Sequence, residues 1–168
     1  MARFKKQSNL ILTMVLVAVI ALGIFGFVSL FKKVDNLEPT KTVSSSVYAR
    51  GLLDDSTGKL PQSGNIDYSG IHMNEYITVN GLKCKLVSGS QIKYTINFFD
   101  EDHNFIGVTS RLMSNYDSAQ DENLSVGGQF EGAKFAIIEI IPQADADGVV
   151  SSSEVSGYAK QLTVSYNK

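Results

Sequence analysis

The chain has 168 residues, with 15 Lys/Arg against 17 Asp/Glu. Residues 1–33 hold five of the basic residues and no acid, whereas residues 34–168 hold ten basic and all 17 acidic residues. The C-terminal part therefore has a net charge near −7, which argues against nucleic acid or an anionic membrane surface as its partner. The single cysteine, Cys84, excludes an intrachain disulfide.

Near the N-terminus, residues 10–31 form an apolar segment without a charged side chain, LILTMVLVAVIALGIFGFVSLF. As a helix these 22 residues would extend roughly 33 Å, enough to cross a hydrocarbon core of about 30 Å. We expect a single transmembrane α-helix. The alternative is a cleaved secretory signal, because Arg3, Lys5 and Lys6 precede the segment, but such signals have shorter apolar regions of roughly 7–15 residues.

The basic residues around this segment favour a cytoplasmic N-terminus and an extracytoplasmic C-terminal domain. Residues 34–46, VDNLEPTKTVSSS, have the composition of a short stalk. The predicted organisation is a basic N-terminus with a transmembrane helix at 1–33, a linker at 34–46 and a folded domain at 47–168.

In the folded domain the dominant pattern is alternation of apolar and polar residues between turn formers, which is typical of strands. Residues 91–99 place Ile92, Tyr94, Ile96 and Phe98 on one face, and residues 105–109 follow a polar turn as a hairpin partner. Other predicted strands cover residues 47–53, 76–79, 82–87, 134–141 and 158–166. No window has a sustained helical period, so we expect an all-β ectodomain of two packed sheets. Cys84 is in step with Leu82 and Leu86 and is predicted to be a small core residue.

Residues 110–128 form a long irregular segment, and such segments tend to be functional or mobile. It contains Arg111, Asn115, Tyr116 and Asp117, and planar polar groups beside an aromatic ring suit the hydroxyls and apolar face of a sugar. The alternative is a mobile surface loop of ordinary composition.

Residues 143–154, QADADGVVSSSE, follow the spacing of a calcium loop. Counting from Gln143, Asp145 is third, Asp147 fifth, Gly148 sixth and Glu154 twelfth, where oxygen ligands and the turn glycine of such loops recur. The first position departs from the pattern, because Gln143 stands where aspartate is usual. The alternative is a tight turn at 147–148 that connects two strands.

Enzymatic motifs are absent from the sequence. The only histidines, His72 and His103, are interpreted as structural and solvated residues, and no nucleophile, metalloprotease or phosphate-loop motif is present. We therefore expect a protein that is not an enzyme.

Three stretches of the domain resemble galactose-binding-like jelly-roll modules of bacterial and phage surface proteins. Residues 94–106, YTINFFDEDHNFI, are similar to their aromatic-acid-Asn-Phe-Ile hairpin, and residues 51–59 followed by YITV at 76–79 are similar to their opening. Residues 133–140, AKFAIIEI, resemble a late strand. The resemblance implies a jelly-roll β-sandwich and carbohydrate binding.

Many sugar-binding relatives stack tryptophan on the sugar ring, and this chain has none. Tyr68, Tyr76 or Tyr116 could take that place. The resemblance also implies a possible structural calcium, for which Asp54 and Asp55 are candidates. We expect a membrane-anchored binding module for carbohydrate or glycoconjugate, or alternatively a structural subunit of an envelope or virion membrane complex that contacts protein.

Overall fold

The computed structural model describes residues 40–110, 114–121, 124, 127–143 and 148–168. Within these residues the regular secondary structure is mostly β-strand, which confirms the all-β prediction. The strands are β1 (Thr40–Thr42), β2 (Tyr48–Arg50), β3 (Ile71–Met73), β4 (Ile77–Thr78), β5 (Lys83–Leu86), β6 (Ile92–Phe99), β7 (Phe105–Val108), β8 (Tyr116–Asp117), β9 (Phe135–Pro142) and β10 (Leu162–Asn167). The described helices are one α-helix, α1 (Val155–Ala159), and 3-10 turns at Ser45–Val47 and Ser118–Gln120.

The strands form two antiparallel sheets. The smaller sheet has the order β1-β10-β5-β8, and the larger has the order β2-β3-β9-β6-β7, with β4 also paired to β9. The predicted hairpin is confirmed, because β6 pairs with β7 and Asn97 lies opposite Val108. Its turn is stabilised by Asp100, which accepts hydrogen bonds from the backbone N–H groups of Asp102 (2.9 Å) and Asn104 (2.8 Å).

Both sheets contribute to one hydrophobic core. The larger sheet supplies Tyr94, Ile96 and Ile138, and the smaller supplies Cys84 and Val164, all with at most 1% of their surface exposed. The prediction that Cys84 is a core residue is confirmed, and burial raises the pKa of its thiol to about 12. This packing of two sheets removes alternate side chains of each strand from water and is the main stabilising term.

The other face of the larger sheet is also covered, by the segment between β2 and β3, residues 51–70. Two hydrogen bonds attach this segment to the sheet, because the Leu53 N–H donates to the Glu139 carboxylate at 2.6 Å and the His72 Nδ1–H donates to the Gly51 carbonyl at 2.7 Å. Within the segment, the Gly51 N–H donates to the Gly70 carbonyl at 2.8 Å. We call residues 51–70 the covering segment. Because of it, β6 and β9 are buried on both faces.

Two predicted boundaries differ from the structure. β1 falls inside the predicted linker, and its pairing with β10, Thr40 opposite Asn167, makes it part of the smaller sheet. The strand predicted at 158–166 begins only at Leu162, because Val155–Ala159 forms α1. The Glu154 carboxylate accepts from the Ser151 N–H at 2.8 Å, as in half of a capping box, and favours a helix start there.

The described residues contain no helix that is both long and apolar enough to cross a membrane. The predicted transmembrane segment, residues 10–31, lies outside the described residues.

Candidate functional site

The smaller sheet carries a groove of about 650 Å³, which is within the range of roughly 300–1,000 Å³ found for ligand pockets. Its floor is formed by β5 and β10. Lys83 and Lys85 alternate with buried Cys84 and point to the opposite face, and Thr163 and Ser165 lie opposite Lys85 and Lys83 in the antiparallel register. We call this concavity the groove. Its lining residues are Lys83, Cys84, Lys85, Asn115, Tyr116, Asp117, Gln120, Asp121, Thr163 and Ser165.

The wall of the groove is the segment 115–121, which includes three of the residues predicted to bind ligand. Asn115 accepts a hydrogen bond from the Leu86 N–H at 3.2 Å, and Asp117 accepts one from the Ala119 N–H at 3.1 Å. Asp117 thereby starts the 3-10 turn that carries Gln120 into the groove. The two predicted residues Asn115 and Asp117 therefore hold the wall against β5.

Opposite charges pair where the floor of the groove meets its wall. Lys83 Nζ lies 3.0 Å from Asp117 Oδ2, with 57% of the lysine side chain and 26% of the aspartate side chain exposed. The hydrogen bond from Lys83, followed by the Ala119 N–H, holds the pKa of Asp117 below its usual range. Lys85 has no side-chain partner among the described residues. The groove thus presents both donors and acceptors, as a ligand rich in hydroxyl groups requires.

Tyr116 lines the groove but belongs largely to the core. Only 9% of the residue is exposed, and its ring centroid lies 6.5 Å from that of Phe98. Burial, followed by the negative charge of Asp121, raises the pKa of its hydroxyl. A stacking platform needs an open ring face. The Tyr116 ring therefore does not supply the sugar platform expected from the sequence.

The remaining predicted ligand residues do not join this set. Tyr68 is 39% exposed but is not among the residues that line the groove, and its ring contacts Arg50 instead. Arg111 lies outside the described residues. The structure thus brings together Asn115, Tyr116 and Asp117 of the predicted ligand set.

A second concavity, of about 550 Å³, lies between the covering segment and the larger sheet. Its acidic lining residues are Asp54, Asp55, Asp67 and Glu139. Only 2% of Glu139 is exposed, and besides the Leu53 N–H its carboxylate accepts from Thr95 Oγ1 at 3.1 Å and Asn97 Nδ2 at 2.7 Å. Burial raises the pKa of Glu139 despite these donors, and the charge of Asp55 adds to the rise.

Glu139 was not predicted as a site residue, because the strand that contains it was interpreted only from its apolar residues. The usable signal is that Glu139 is the only charged residue in FAIIEII, residues 135–141. A charged side chain in a strand buried on both faces must find hydrogen-bond partners there. That requirement predicts a polar network on the face opposite the core, which Thr95 and Asn97 provide.

Of the residues predicted to bind metal, the described part of the chain includes Asp54, Asp55 and Glu154. Asp54 accepts hydrogen bonds from the N–H groups of Ser56 (2.9 Å) and Thr57 (3.0 Å), so it organises a turn. No group of three or more His, Cys, Asp or Glu among the described residues is placed to hold a metal ion. Glu154 accepts from Ser151 at the start of α1. Asp145 and Asp147 lie outside the described residues, and the calcium hypothesis for that loop stays a prediction.

Comparison of the chain with protein-family models, curated proteins and solved structures found no match. The resemblance to galactose-binding-like modules therefore rests on the sequence motifs alone.

Proposed function

We propose that this chain is a membrane-anchored, extracytoplasmic binding module of jelly-roll type whose groove recognises carbohydrate. The observation that carries the proposal is the composition of the groove. Three predicted ligand residues lie there beside the outward side chains of β5 and β10. The packing of two antiparallel sheets around one core supports the jelly-roll part, and the apolar segment 10–31 supports the anchor.

The chemistry of the groove favours a neutral sugar over a charged one. The Lys83–Asp117 pair balances its own charge, and Lys85 and Asp121 add one charge of each sign. Amide, hydroxyl and ammonium groups can each donate to or accept from sugar hydroxyls. Because none of the described lining residues is an exposed aromatic, recognition depends on hydrogen bonds, and we expect modest affinity per site.

The test is a glycan array with the full chain in detergent micelles. The informative variants are Lys85→Met and Gln120→Ala, because these side chains line the groove and have no described intramolecular partner. Lys59→Met removes the same charge as Lys85→Met at an exposed position outside the groove and serves as the matched control. We expect the groove variants to reduce the signal and the control to leave it unchanged. An array without signal, or an equal loss in all three variants, would contradict the proposal.

The second candidate function is a structural or protein-interaction subunit of an envelope or virion membrane complex. It is favoured by the burial of Tyr116, because no other aromatic residue is among the described residues that line the groove. A photo-crosslinking residue at position 85, used in the native membrane, separates the two functions. One stoichiometric protein partner supports this candidate, and an array signal without a crosslinked partner supports the carbohydrate function.

A further inference from the structure

Arg50, the last residue of β2, is held in one orientation by two neutral contacts. Its Nε–H donates to the Val150 carbonyl at 2.6 Å, and its guanidinium carbon lies 4.5 Å from the centroid of the Tyr68 ring. The support is itself anchored, because the Val150 N–H donates to the Tyr68 carbonyl at 2.8 Å. The side chain has therefore lost much of its rotamer freedom before any ligand arrives.

The charge of this fixed guanidinium is not paired within the described part of the chain. The ion pair found there joins Lys83 to Asp117, and no acid of the described residues lies within ion-pair distance of Arg50. The Nε–H is used by Val150, so the two terminal nitrogens keep their hydrogen atoms for another acceptor. The terminal donors of this partly buried arginine are therefore available to an anionic group.

The two terminal nitrogens of Arg50 determine which chemical group can bind there. Two terminal nitrogens in one plane match the two oxygens of a carboxylate, with parallel charge-assisted hydrogen bonds. The Tyr68 ring, 39% exposed, stabilises the cation through its face and forms an apolar border beside it. We propose that Arg50 and Tyr68 form a second binding site, separate from the groove, for the carboxylate of an acidic sugar.

This site and the groove differ in the ligand they select. The described residues of the groove balance their charges, whereas Arg50 presents a positive charge that has no ion-pair partner among the described residues. A uronic acid should therefore bind at Arg50, and its neutral parent sugar should not. The two sites share no residue, since Arg50 and Tyr68 are not groove residues. The choice of a sugar as the carrier of the carboxylate rests on the proposed carbohydrate function.

The experiment follows the Nε–Hε signals of arginine by NMR in the full chain in detergent micelles. The chain has three arginines, so the signal of Arg50 is assigned as the one lost in Arg50→Lys. Glucuronate is titrated in parallel with glucose. We expect glucuronate to shift the Arg50 signal saturably and glucose to leave it in place. The glucuronate shift should weaken as ionic strength rises.

Three kinds of variant test separately the parallel donors of Arg50, the ring of Tyr68 and the overall charge. Arg50→Lys keeps the charge but loses the two parallel donors, and we expect at least about tenfold weaker glucuronate binding, the equivalent of about 1.4 kcal/mol. That binding is measured by calorimetry, because the Arg50 signal is absent. Tyr68→Phe keeps the ring and should bind as the parent does, whereas Tyr68→Ala should bind several-fold more weakly. Lys160→Gln removes an exposed positive charge elsewhere and should have no effect.

Circular dichroism of each variant checks that it is folded. Equal shifts with glucuronate and glucose, or equal glucuronate binding by the parent and folded Arg50→Lys, would overturn the proposal. Loss of glucuronate binding in Lys85→Met would place the site in the groove instead and would also overturn it. If only the groove proposal failed, the glycan array would show it, and the shift of the Arg50 signal with glucuronate would be unchanged.

Discussion

Glu139 offers the sharpest test of how the covering segment is held on the larger sheet. In Glu139→Ala, two donors with fixed geometry lose their acceptor, the Leu53 N–H and the Asn97 amide. Each unsatisfied buried donor costs about 1–3 kcal/mol, and removal of the side chain leaves a cavity. We expect the free energy of unfolding to fall by roughly 3–5 kcal/mol, which lowers the melting temperature by about 10–20 °C for a domain of this size.

Glu139→Gln is the matched control, because it keeps the shape and one acceptor oxygen. The Gln Oε1 can still accept from Leu53, and its Nε2 can donate to Asn97 Oδ1 once that amide turns. The Asn97 Oδ1 is buried and has no hydrogen-bond partner among the described residues, so it is available. We expect a loss within about 1 kcal/mol. Urea denaturation followed by circular dichroism measures both variants. If Glu139→Ala lost no more stability than Glu139→Gln, the carboxylate would not be the anchor of the covering segment.

The same carboxylate predicts a pH dependence of defined sign. Its pKa is raised in the folded state, so the folded chain binds this proton more tightly than the unfolded chain does. The contribution to stability is fully present below the ordinary glutamate pKa of about 4.3 and is lost as pH rises through the raised value. The stability of the parent relative to Glu139→Gln should therefore fall with rising pH in that window. A difference that grows with pH would mean that the carboxylate is stabilised as an anion.

Three further predictions concern the core and its cover. Cys84 should resist thiol reagents at pH 8 in the native chain and react after denaturation, since its pKa is about 12 and it is 1% exposed; rapid native labelling would contradict its burial. Gly58→Ala should lower the free energy of unfolding by more than about 1 kcal/mol, because φ is +63° there and a Cβ would collide with the rings of Phe99 and Phe105; a neutral effect in urea denaturation would argue against this contact. Tyr48→Phe should keep or raise stability by up to about 1 kcal/mol, since the buried hydroxyl has no hydrogen-bond partner in the described part of the chain, and a loss of stability in thermal unfolding would reveal a hidden partner.

The strands that the sequence predicted well are those with enough residues to show alternation. β6 and β9 each have eight residues and were placed to within one residue, and the turn after β6 carries its own local signal in Asp100 and Asn104. β3 and β8 were not predicted, because strands of three and two residues are too short to show an alternation of apolar and polar side chains. They are strands because β9 and β5 provide backbone partners that come from distant parts of the sequence.

The candidate site, too, could be predicted only in part from the sequence. Asn115 and Asp117 were found from residue type in a long irregular segment, and they do lie at a concavity. Tyr116 was placed in the same set, but whether a tyrosine ring faces solvent or the core depends on the neighbouring sheet. Here Phe98, 18 positions away along the chain, covers it. No local pattern contains that information.

The sequence by itself determined the strand character of the domain, the burial of Cys84 and the main hairpin, because each depends on side-chain alternation or on turn residues close together in the chain. Only the tertiary structure decided which residues became neighbours. It placed Glu139 beneath the Leu53 N–H and Arg50 over the ring of Tyr68. The physical reason is that Arg50 contacts residues 18 and 100 positions away in the chain, and Glu139 accepts from a residue 86 positions away, so their geometry depends on the packing of distant segments at once.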